Sequence, residues 1–183
     1  MSHGIEGGAG IGPRVVLVGP MGAGKTTVAE LLAARWGVTV RDTDHDVEAA
    51  EGREISEIFV DDGEDHFRAL ERAAGARALA EHDGVLALGG GAVLDADTRS
   101  ALEGHRVVFL SVGLSDAVKR VGLGVGRPLL LGNIRARIKA LLDERLPIYR
   151  AVATVTVETD GKTAEEVADE VAAAVEELEG SSR

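Results

Sequence analysis

The first candidate for chemistry is a glycine-rich segment, Gly19–Thr26, which fits the pattern G-x-x-x-x-G-K-[ST]. In this pattern backbone N–H groups converge on phosphate oxygens, the lysine reaches the β- and γ-phosphates, and the threonine hydroxyl ligates Mg²⁺. The apolar run Val15–Val18 predicts a buried strand before the segment, and Val28, Leu31 and Leu32 predict a helix after it. This context favours phosphate binding over a flexible loop that matches by chance. We therefore expect a nucleoside triphosphate to be bound by Gly22, Ala23, Gly24, Lys25, Thr26 and Thr27.

Three alternating carboxylates, Asp42, Asp44 and Asp46, form the second candidate. A calcium loop is excluded, because it would need glycine where Val47 stands and glutamate where Arg53 stands. A phosphotransferase site fits better, since one acid could hold a water on Mg²⁺ and another could orient or deprotonate an acceptor hydroxyl. For Asp46 we prefer a simpler role, in which it complements the dipole of a helix N-terminus. The predicted strand-end position of Asp42 and Asp44 favours function.

Three consecutive glycines, Gly89, Gly90 and Gly91, follow the apolar run Val85–Leu88, which predicts another buried strand. Without side chains, their N–H groups are open to close approach by a ligand. Because a structural turn alone rarely needs three glycines, the segment indicates a binding site.

Two arginines have more than one interpretation. Arg68 could pair with Glu64 or Glu71 on the same predicted helix, and Arg145 could simply lie near a helix C-terminus. Spacing alone leaves a structural and a functional role equally open for each.

The segment Gly122–Pro128 has almost no side chains that could pack. It lies between two helical patterns, which is typical of a mobile lid, and Arg127 at its end favours a lid over a plain linker. We predict a lid at about residues 122–132.

Composition limits the classes of protein that fit. A chain of 183 residues without cysteine suits one compact α/β domain that has no disulfide or thiolate metal site. The net charge of −11 argues against a nucleic-acid-binding protein and requires an anion-binding site to concentrate the few cations. No apolar run reaches membrane-spanning length, and the glycine-rich residues 1–12 lack a signal-peptide pattern. We expect a cytoplasmic protein with no membrane partner and with this tail disordered.

Strands and helices alternate along the chain. Three further apolar runs predict strands at Val38–Val40, Val107–Leu110 and Val152–Val157. Helical spacing predicts helices at Glu48–Glu51, Glu64–Glu81, Asp95–Leu102 and from about Ile134. This alternation indicates a parallel sheet covered on both faces, which binds ligands at the carboxyl ends of its strands. The glycine loop, the aspartates and the three glycines all leave strands at that edge, so we expect them to be neighbours.

Two helix caps are also predicted. Ser115 can cap the helix that carries Lys119 and Arg120, and Thr163 with Glu166 forms a capping box on the last helix.

Several separated motifs then occur in a specific order: Asp42-Thr43-Asp44, Phe67-Arg68, Leu88-Gly89-Gly90-Gly91-Ala92, Arg127-Pro128-Leu129-Leu130 and Arg145-Leu146-Pro147-Ile148-Tyr149. Together with the phosphate loop they resemble the shikimate kinase family, from about Arg14 to the final helix. The resemblance implies one P-loop NTPase domain, at residues 13–180, with a nucleoside-monophosphate-kinase-like fold and a five-stranded parallel sheet flanked by helices. It also implies a substrate-binding segment at about residues 42–70 and a lid.

The resemblance further implies phosphorylation of the 3-hydroxyl of shikimate by ATP and Mg²⁺, a step toward chorismate and the aromatic amino acids. Asp44 would hydrogen-bond the hydroxyls and act as the base, while Arg68 and Arg145 would pair with the carboxylate. Shikimate would then be bound by Asp44, Arg68, Gly89, Gly90, Gly91 and Arg145. We expect a monomer.

At the nucleotide end, the resemblance implies that Arg120 stacks near adenine. Arg127 would move in with the lid and, with Lys25, would neutralise charge on the transferring phosphate. Thr26 and Asp42 would hold Mg²⁺ and its waters.

The chain departs from the family pattern in two places. Relatives often have a hydroxyl residue just before the triple glycine, whereas Ala87 and Leu88 have none. Relatives also often have an arginine that covers adenine before the last helix, whereas Asp160-Gly161-Lys162 stands there. Lys162 is the candidate to replace that arginine.

Other kinases of the same fold, acting on gluconate or a nucleotide, are the nearest alternatives. Arg68 and Arg145 favour a carboxylate-bearing acceptor without excluding gluconate, and the triple glycine favours shikimate. A nucleotide-dependent switch protein would need the motifs N-K-x-D and D-x-x-G, both absent from the sequence. An inactive binding module is disfavoured, because Lys25, Thr26 and Asp44 are intact.

Overall fold

One sheet of five parallel strands organises the fold. The computed structural model describes residues 12–122 and 131–183, and within them the strand order is β2-β3-β1-β4-β5. The strands are β1 Val15–Val18, β2 Val40–Asp42, β3 Val85–Ala87, β4 Val107–Ser111 and β5 Val155–Glu158. The predicted α/β architecture is therefore confirmed. The predicted N-terminal tail, apart from Gly12, and residues 123–130 of the predicted lid, including Arg127, lie outside the described residues.

Helices cover both faces of the sheet. Within the described ranges they are α1 Lys25–Trp36, α2 Thr43–Glu51, α3 Ile55–Asp62, α4 Glu64–Glu81, α5 Ala96–Leu102, α6 Leu114–Gly122, α7 Leu131–Val152 and α8 Ala164–Ser181. A short 3-10 turn, Ala92–Leu94, precedes α5. None of the helices in residues 12–122 and 131–183 is long and apolar enough to cross a membrane.

The central strand β1 is buried on both sides. Val15 and Leu17 pack with residues of α1 and α8, whereas Val16 and Val18 pack with residues of α4, α5 and α7. Each of the four is at most 1% exposed. Full burial of such a side chain contributes about 1.5–3 kcal/mol of transfer free energy, so the loops that leave these strands start from a well-packed framework.

The carboxyl ends of β1, β2 and β3 lie side by side, as predicted. Ala87 in β3 is paired with both Leu17 in β1 and Asp42 in β2. This register brings Thr43, just after β2, next to Gly89, just after β3, and the Gly89 N–H donates a hydrogen bond to Thr43 Oγ1 at 3.1 Å.

The boundary between β2 and α2 differs from the prediction. β2 ends at Asp42 rather than at Val40, and α2 begins at Thr43 rather than near Glu48. The reason is the Asp42 side chain, whose Oδ1 accepts a hydrogen bond from Asp44 N at 2.9 Å and thereby caps α2.

The predicted bounds of α7 and β5 were also inaccurate. α7 begins at Leu131 and continues past Pro147 to Val152, and β5 begins only at Val155. The apolar run that starts at Val152 serves both the last turn of the helix and the following strand, so its pattern alone does not locate the boundary. The predicted helix Glu64–Glu81 is confirmed as α4.

One of the two predicted caps is wrong. Ser115 lies inside α6, which begins at Leu114, and the Gly113 N–H before the helix donates to the Asp160 carboxylate at 2.9 and 3.0 Å instead. The capping box on α8 is confirmed, because Glu166 N donates to Thr163 Oγ1 at 3.2 Å and the glutamate side chain returns a bond.

Candidate active site

The glycine loop Gly19–Thr26 connects β1 to α1, whose first residue is Lys25. Gly24, immediately before the helix, has a φ of +87°, a conformation that glycine adopts without strain. Lys25 Nζ donates hydrogen bonds to the carbonyls of Gly19 and Pro20 at 2.6 and 3.0 Å. The ammonium group therefore lies over its own loop, where phosphate oxygens can replace these carbonyls as acceptors.

Two ionisable groups in the site have pKa values shifted toward neutrality. Burial lowers the pKa of Lys25 to about 8, although the carboxylates of Asp44 and Asp42 oppose this shift. Burial raises the pKa of Asp44 to about 6, and the negative charges of Asp42 and Glu71 raise it further. Such values are typical of groups that bind charged ligands or transfer protons.

Asp42 contacts a different neighbour with each carboxylate oxygen. Oδ2 accepts a hydrogen bond from Thr26 Oγ1 at 3.0 Å, and Oδ1 accepts the capping bond from Asp44 N. In the part of the chain that the structure describes, no group of three His, Cys, Asp or Glu side chains could hold a metal. Mg²⁺ usually keeps several waters and uses one or two protein oxygens beside phosphate oxygens, so the Thr26 hydroxyl and the Asp42 carboxylate suit it.

Gly89 and Gly91 are glycines because functional side chains pack directly against them. A Cβ atom at Gly89 would lie 2.5 Å from Asp44 Oδ1, and one at Gly91 would overlap the Arg68 guanidinium. Any larger residue at either position would displace one of these side chains. Gly89 and Gly91 therefore leave the space that Asp44 and Arg68 occupy.

Tyr149 holds the glycine turn against α7. Its buried hydroxyl donates a hydrogen bond to Gly90 O at 2.5 Å, and its ring stacks on Phe109 with the centroids 4.9 Å apart. Burial raises the pKa of the hydroxyl, which therefore stays protonated and can donate. Arg145 lies one turn earlier on the same helix, so this contact also fixes the backbone that carries Arg145. Sequence reasoning did not identify this role, and the only signal was the four-residue spacing of Arg145 and Tyr149.

Arg68 takes part in the ion pairs predicted for it and also faces the site. Its Nη1 donates to Glu71 Oε1 at 2.8 Å and its Nη2 donates to Glu64 Oε1 at 3.4 Å. Because Glu71 is only 4% exposed, this pair is not a solvent-screened surface contact. Sequence reasoning treated Glu71 only as an ion-pair partner, but its position shows that it orients the Arg68 guanidinium.

Arg145 approaches the site from α7. Its Nε is buried and has no hydrogen-bond partner among the described residues. A buried guanidinium N–H without an acceptor is costly, and a carboxylate ligand would supply the acceptor in the geometry that arginine prefers.

The two cations predicted at the adenine end lie in different surroundings. Arg120 Nη1 donates to Gly22 O at 3.0 Å, beside the glycine loop. Lys162 Nζ pairs with Glu170 at 2.8 Å and lies outside the cavity lining formed by the described residues. A contact between Lys162 and adenine stays a prediction.

A cavity of about 600 Å³ joins these groups. The predicted site residues that line it are Gly22, Gly24, Lys25, Thr26, Thr27, Asp42, Asp44, Arg68, Gly90, Gly91, Arg120 and Arg145. Ala23 and Gly89 are buried and lie outside this lining. Four cationic side chains and three carboxylates line this cavity among the described residues, so an acidic chain places an excess of cations where an anionic ligand would bind.

Part of the cavity lining is apolar. Ile55, Phe59 and Phe67 belong to one hydrophobic cluster, which is called the apolar wall below, and the two phenylalanine rings have centroids 4.8 Å apart. Leu141 and Leu142 of α7 add further apolar lining. Apolar walls with a few convergent polar groups are typical of small-molecule sites. Phe67, Leu141 and Leu142 lie on helices that the sequence predicts, but helical spacing alone does not distinguish cavity lining from a helix face in the core.

Comparisons with known proteins agree with this geometry. A sequence model described as shikimate kinase matches residues 21–176. Shikimate kinases of Salinispora arenicola and Salinispora tropica are 66% and 65% identical over 161 residues, covering 88% of this chain and 96% of each relative. A solved shikimate kinase from Acinetobacter baumannii in complex with shikimate is 35% identical, with a TM-score of 0.84 over 92% of this chain and 94% of the other. The chain belongs to the shikimate kinase family.

Proposed function

We propose that this chain transfers the γ-phosphoryl group of ATP to the 3-hydroxyl of shikimate, giving ADP and shikimate 3-phosphate on the route to the aromatic amino acids. Membership of the family supports an ATP-dependent kinase. The observation that carries the substrate assignment is the convergence of the phosphate loop, Asp44, Arg68 and Arg145 on one cavity beside the apolar wall.

At the nucleotide end, the loop amides and Lys25 bind the phosphates. Thr26 and Asp42 are the groups that would hold Mg²⁺, which neutralises negative charge during phosphoryl transfer. Lys25 exchanges its two carbonyl acceptors for phosphate oxygens and so brings a positive charge to the reacting group. Arg127, outside the described residues, is proposed to add a second positive charge from the lid.

At the acceptor end, the shikimate carboxylate lies between Arg68 and Arg145, and the ring rests on the apolar wall. Asp44 accepts a hydrogen bond from the 3-hydroxyl and takes its proton as the oxygen bonds to the γ-phosphorus and the bond to ADP breaks. Positioning and charge neutralisation are the main contributions of the protein to such a reaction.

We also propose that the enzyme acts as a cytoplasmic monomer. Light scattering during size-exclusion chromatography measures the mass, and a stable dimer would contradict this part of the proposal.

The rate should depend on pH in a bell shape. Asp44 must be ionised to accept a proton, and its pKa is about 6, so kcat/KM should fall about tenfold for each pH unit below that value. Lys25 has a pKa of about 8 in the free enzyme, so kcat/KM for ATP should fall as the pH rises through that value and the ammonium loses its charge. Initial rates across this range measure both limbs. An acid limb displaced to the ordinary aspartate value would contradict the role given to Asp44.

The substrate assignment is tested by ADP release with shikimate, gluconate and AMP as acceptors. Shikimate should be phosphorylated, and phosphorus NMR should locate the new ester at the 3-oxygen. A Lys25→Met variant purified in the same way measures contaminating kinase activity. Turnover of gluconate or AMP without turnover of shikimate would show that the assignment is wrong.

A further inference from the structure

A buried threonine at the end of β5, Thr159, has no part in the chemistry described above. It is 1% exposed. Its Oγ1 donates a hydrogen bond to Ser111 O at 2.9 Å and accepts one from Arg120 Nη1 at 3.1 Å. The carbonyl of Thr159 accepts a further bond from Arg120 Nη2 at 3.2 Å. Backbone and side chain of one residue therefore both bind the Arg120 guanidinium.

Arg120 in turn joins three strand ends. It reaches the loop after β1 through Gly22 O, and it reaches the ends of β4 and β5 through Thr159, which is itself bonded to Ser111. These contacts use N–H groups at the edge of the guanidinium plane. Stacking on a purine uses the face of that plane, so the two roles do not compete for the same atoms.

Two charged residues that follow Thr159 in the sequence, Asp160 and Lys162, form contacts with other parts of the chain. The Asp160 carboxylate accepts from Gly113 N, and Lys162 pairs with Glu170. Arg120 is therefore the cation that lines this end of the cavity among the described residues.

We propose that Thr159 is a positioning residue for the nucleotide, whose hydroxyl fixes Arg120 at the end of the cavity that receives adenine. This inference rests on the proposed function, because it places adenine beside Arg120. The hydroxyl is not needed to satisfy Ser111, since Thr159 N also donates to Ser111 O at 2.9 Å. Its removal thus leaves the strand end paired and takes one acceptor from Arg120.

The test compares Thr159→Val, which keeps the shape and removes the hydroxyl, with Thr159→Ser, which keeps the hydroxyl. Because Arg120 keeps Gly22 O and Thr159 O as acceptors, loss of the hydroxyl should raise KM for ATP and Kd for ADP by about five- to tenfold in the valine variant, which is less than loss of a direct charge-assisted contact with the ligand. In the valine variant, KM for shikimate and kcat at saturating ATP should stay within about twofold of the parent values. In the serine variant, all of these constants should stay within that range. If the valine variant does not fold, Thr159→Ala removes the same hydroxyl without branching.

Two controls separate this role from general stability. Thr154 lies at the other end of the same strand, just before β5, and its Oγ1 accepts a hydrogen bond from Val107 N at 3.1 Å. Thr154→Val should therefore leave the affinities for both substrates unchanged. In an Arg120→Ala background, Thr159→Val should cause no further loss of ADP affinity, because the two residues act as one unit.

The proposal is overturned if Thr159→Val leaves ADP affinity unchanged, weakens both substrates equally, or has its full effect without Arg120. Calorimetry with ADP alone measures the Kd for ADP of each variant without any need for shikimate. A chain that binds ADP but phosphorylates another acceptor would contradict the proposed function and leave the test of Thr159 intact.

Discussion

Replacing Asp44 with asparagine is expected to lower kcat by about 10²- to 10⁴-fold, the contribution typical of a general base. Asparagine keeps the size of the side chain and can still accept a hydrogen bond, but it cannot take the proton of the 3-hydroxyl. Affinity for ATP should change far less, since Lys25 and the loop amides are untouched. Steady-state kinetics with both substrates varied measures the two effects, and an unchanged rate would remove Asp44 as base or orienting group.

Asp46 provides a matched control on the same helix. Its Oδ2 accepts a hydrogen bond from Arg41 Nε at 2.6 Å, and it lies outside the cavity lining. Asp46→Asn should leave kcat within about twofold of the parent. A loss equal to that of Asp44→Asn would point to damage to α2 rather than to lost proton transfer.

The Asp44→Asn variant should also be more stable than the parent near neutral pH. The pKa of Asp44 is raised to about 6 in the folded chain, so folding favours the protonated form and the charged form is destabilising above that pH. This penalty disappears as the pH falls toward the unfolded value. The group is half-buried, so we expect a gain of about 1–2 kcal/mol in the free energy of unfolding after solvent screening. Urea denaturation on both sides of pH 6 measures it, and a gain that does not change with pH would contradict this origin.

Arg145→Ala is expected to raise KM for shikimate about 10- to 100-fold, since a charge-assisted contact contributes about 1.5–3 kcal/mol. The buried Nε has no acceptor among the described residues, and a carboxylate ligand would supply one. KM for ATP should change far less, because the proposed ligands of the phosphates are the loop amides and Lys25 rather than Arg145.

Arg150 on the same helix is exposed and lies outside the cavity lining, so Arg150→Ala controls for loss of a charge from α7. It should change neither KM. An equal loss of ATP and shikimate affinity in Arg145→Ala would contradict a specific role for Arg145 at the acceptor end.

The parts of the site that could be predicted are those in which backbone geometry dictates residue type. The phosphate loop needs glycines and a lysine at fixed spacing, and glycine is required at positions 89 and 91 because Asp44 and Arg68 pack against them. Both constraints leave a local pattern in the sequence. The three central strands β1, β3 and β4 were equally visible, because burial on two faces requires continuous apolar runs. The edge strands β2 and β5 are only partly buried, and their bounds were predicted less accurately.

The parts that could not be predicted depend on which side chains meet across the fold. The ion pair of Lys162 with Glu170 on α8 is one such contact, and the predicted contact of Lys162 with adenine stays a prediction. The hydrogen bonds that Arg120 donates to Thr159 and that Tyr149 donates to Gly90 join residues 39 and 59 positions apart in the sequence. No local pattern specifies such pairs, because their geometry follows from the strand order, which the sequence left open.

Asp42 connects the phosphate loop with the helix that carries Asp44. One of its carboxylate oxygens accepts a hydrogen bond from the Thr26 hydroxyl, and the other accepts one from Asp44 N at the start of α2. If Thr26 Oγ1 binds a metal ion beside the nucleotide, its hydrogen bond to Asp42 changes. The position of the Asp42 carboxylate, which caps α2, then changes as well. The two substrates should therefore show heterotropic cooperativity, with ATP and shikimate altering each other's dissociation constant by the same factor, as reciprocity requires.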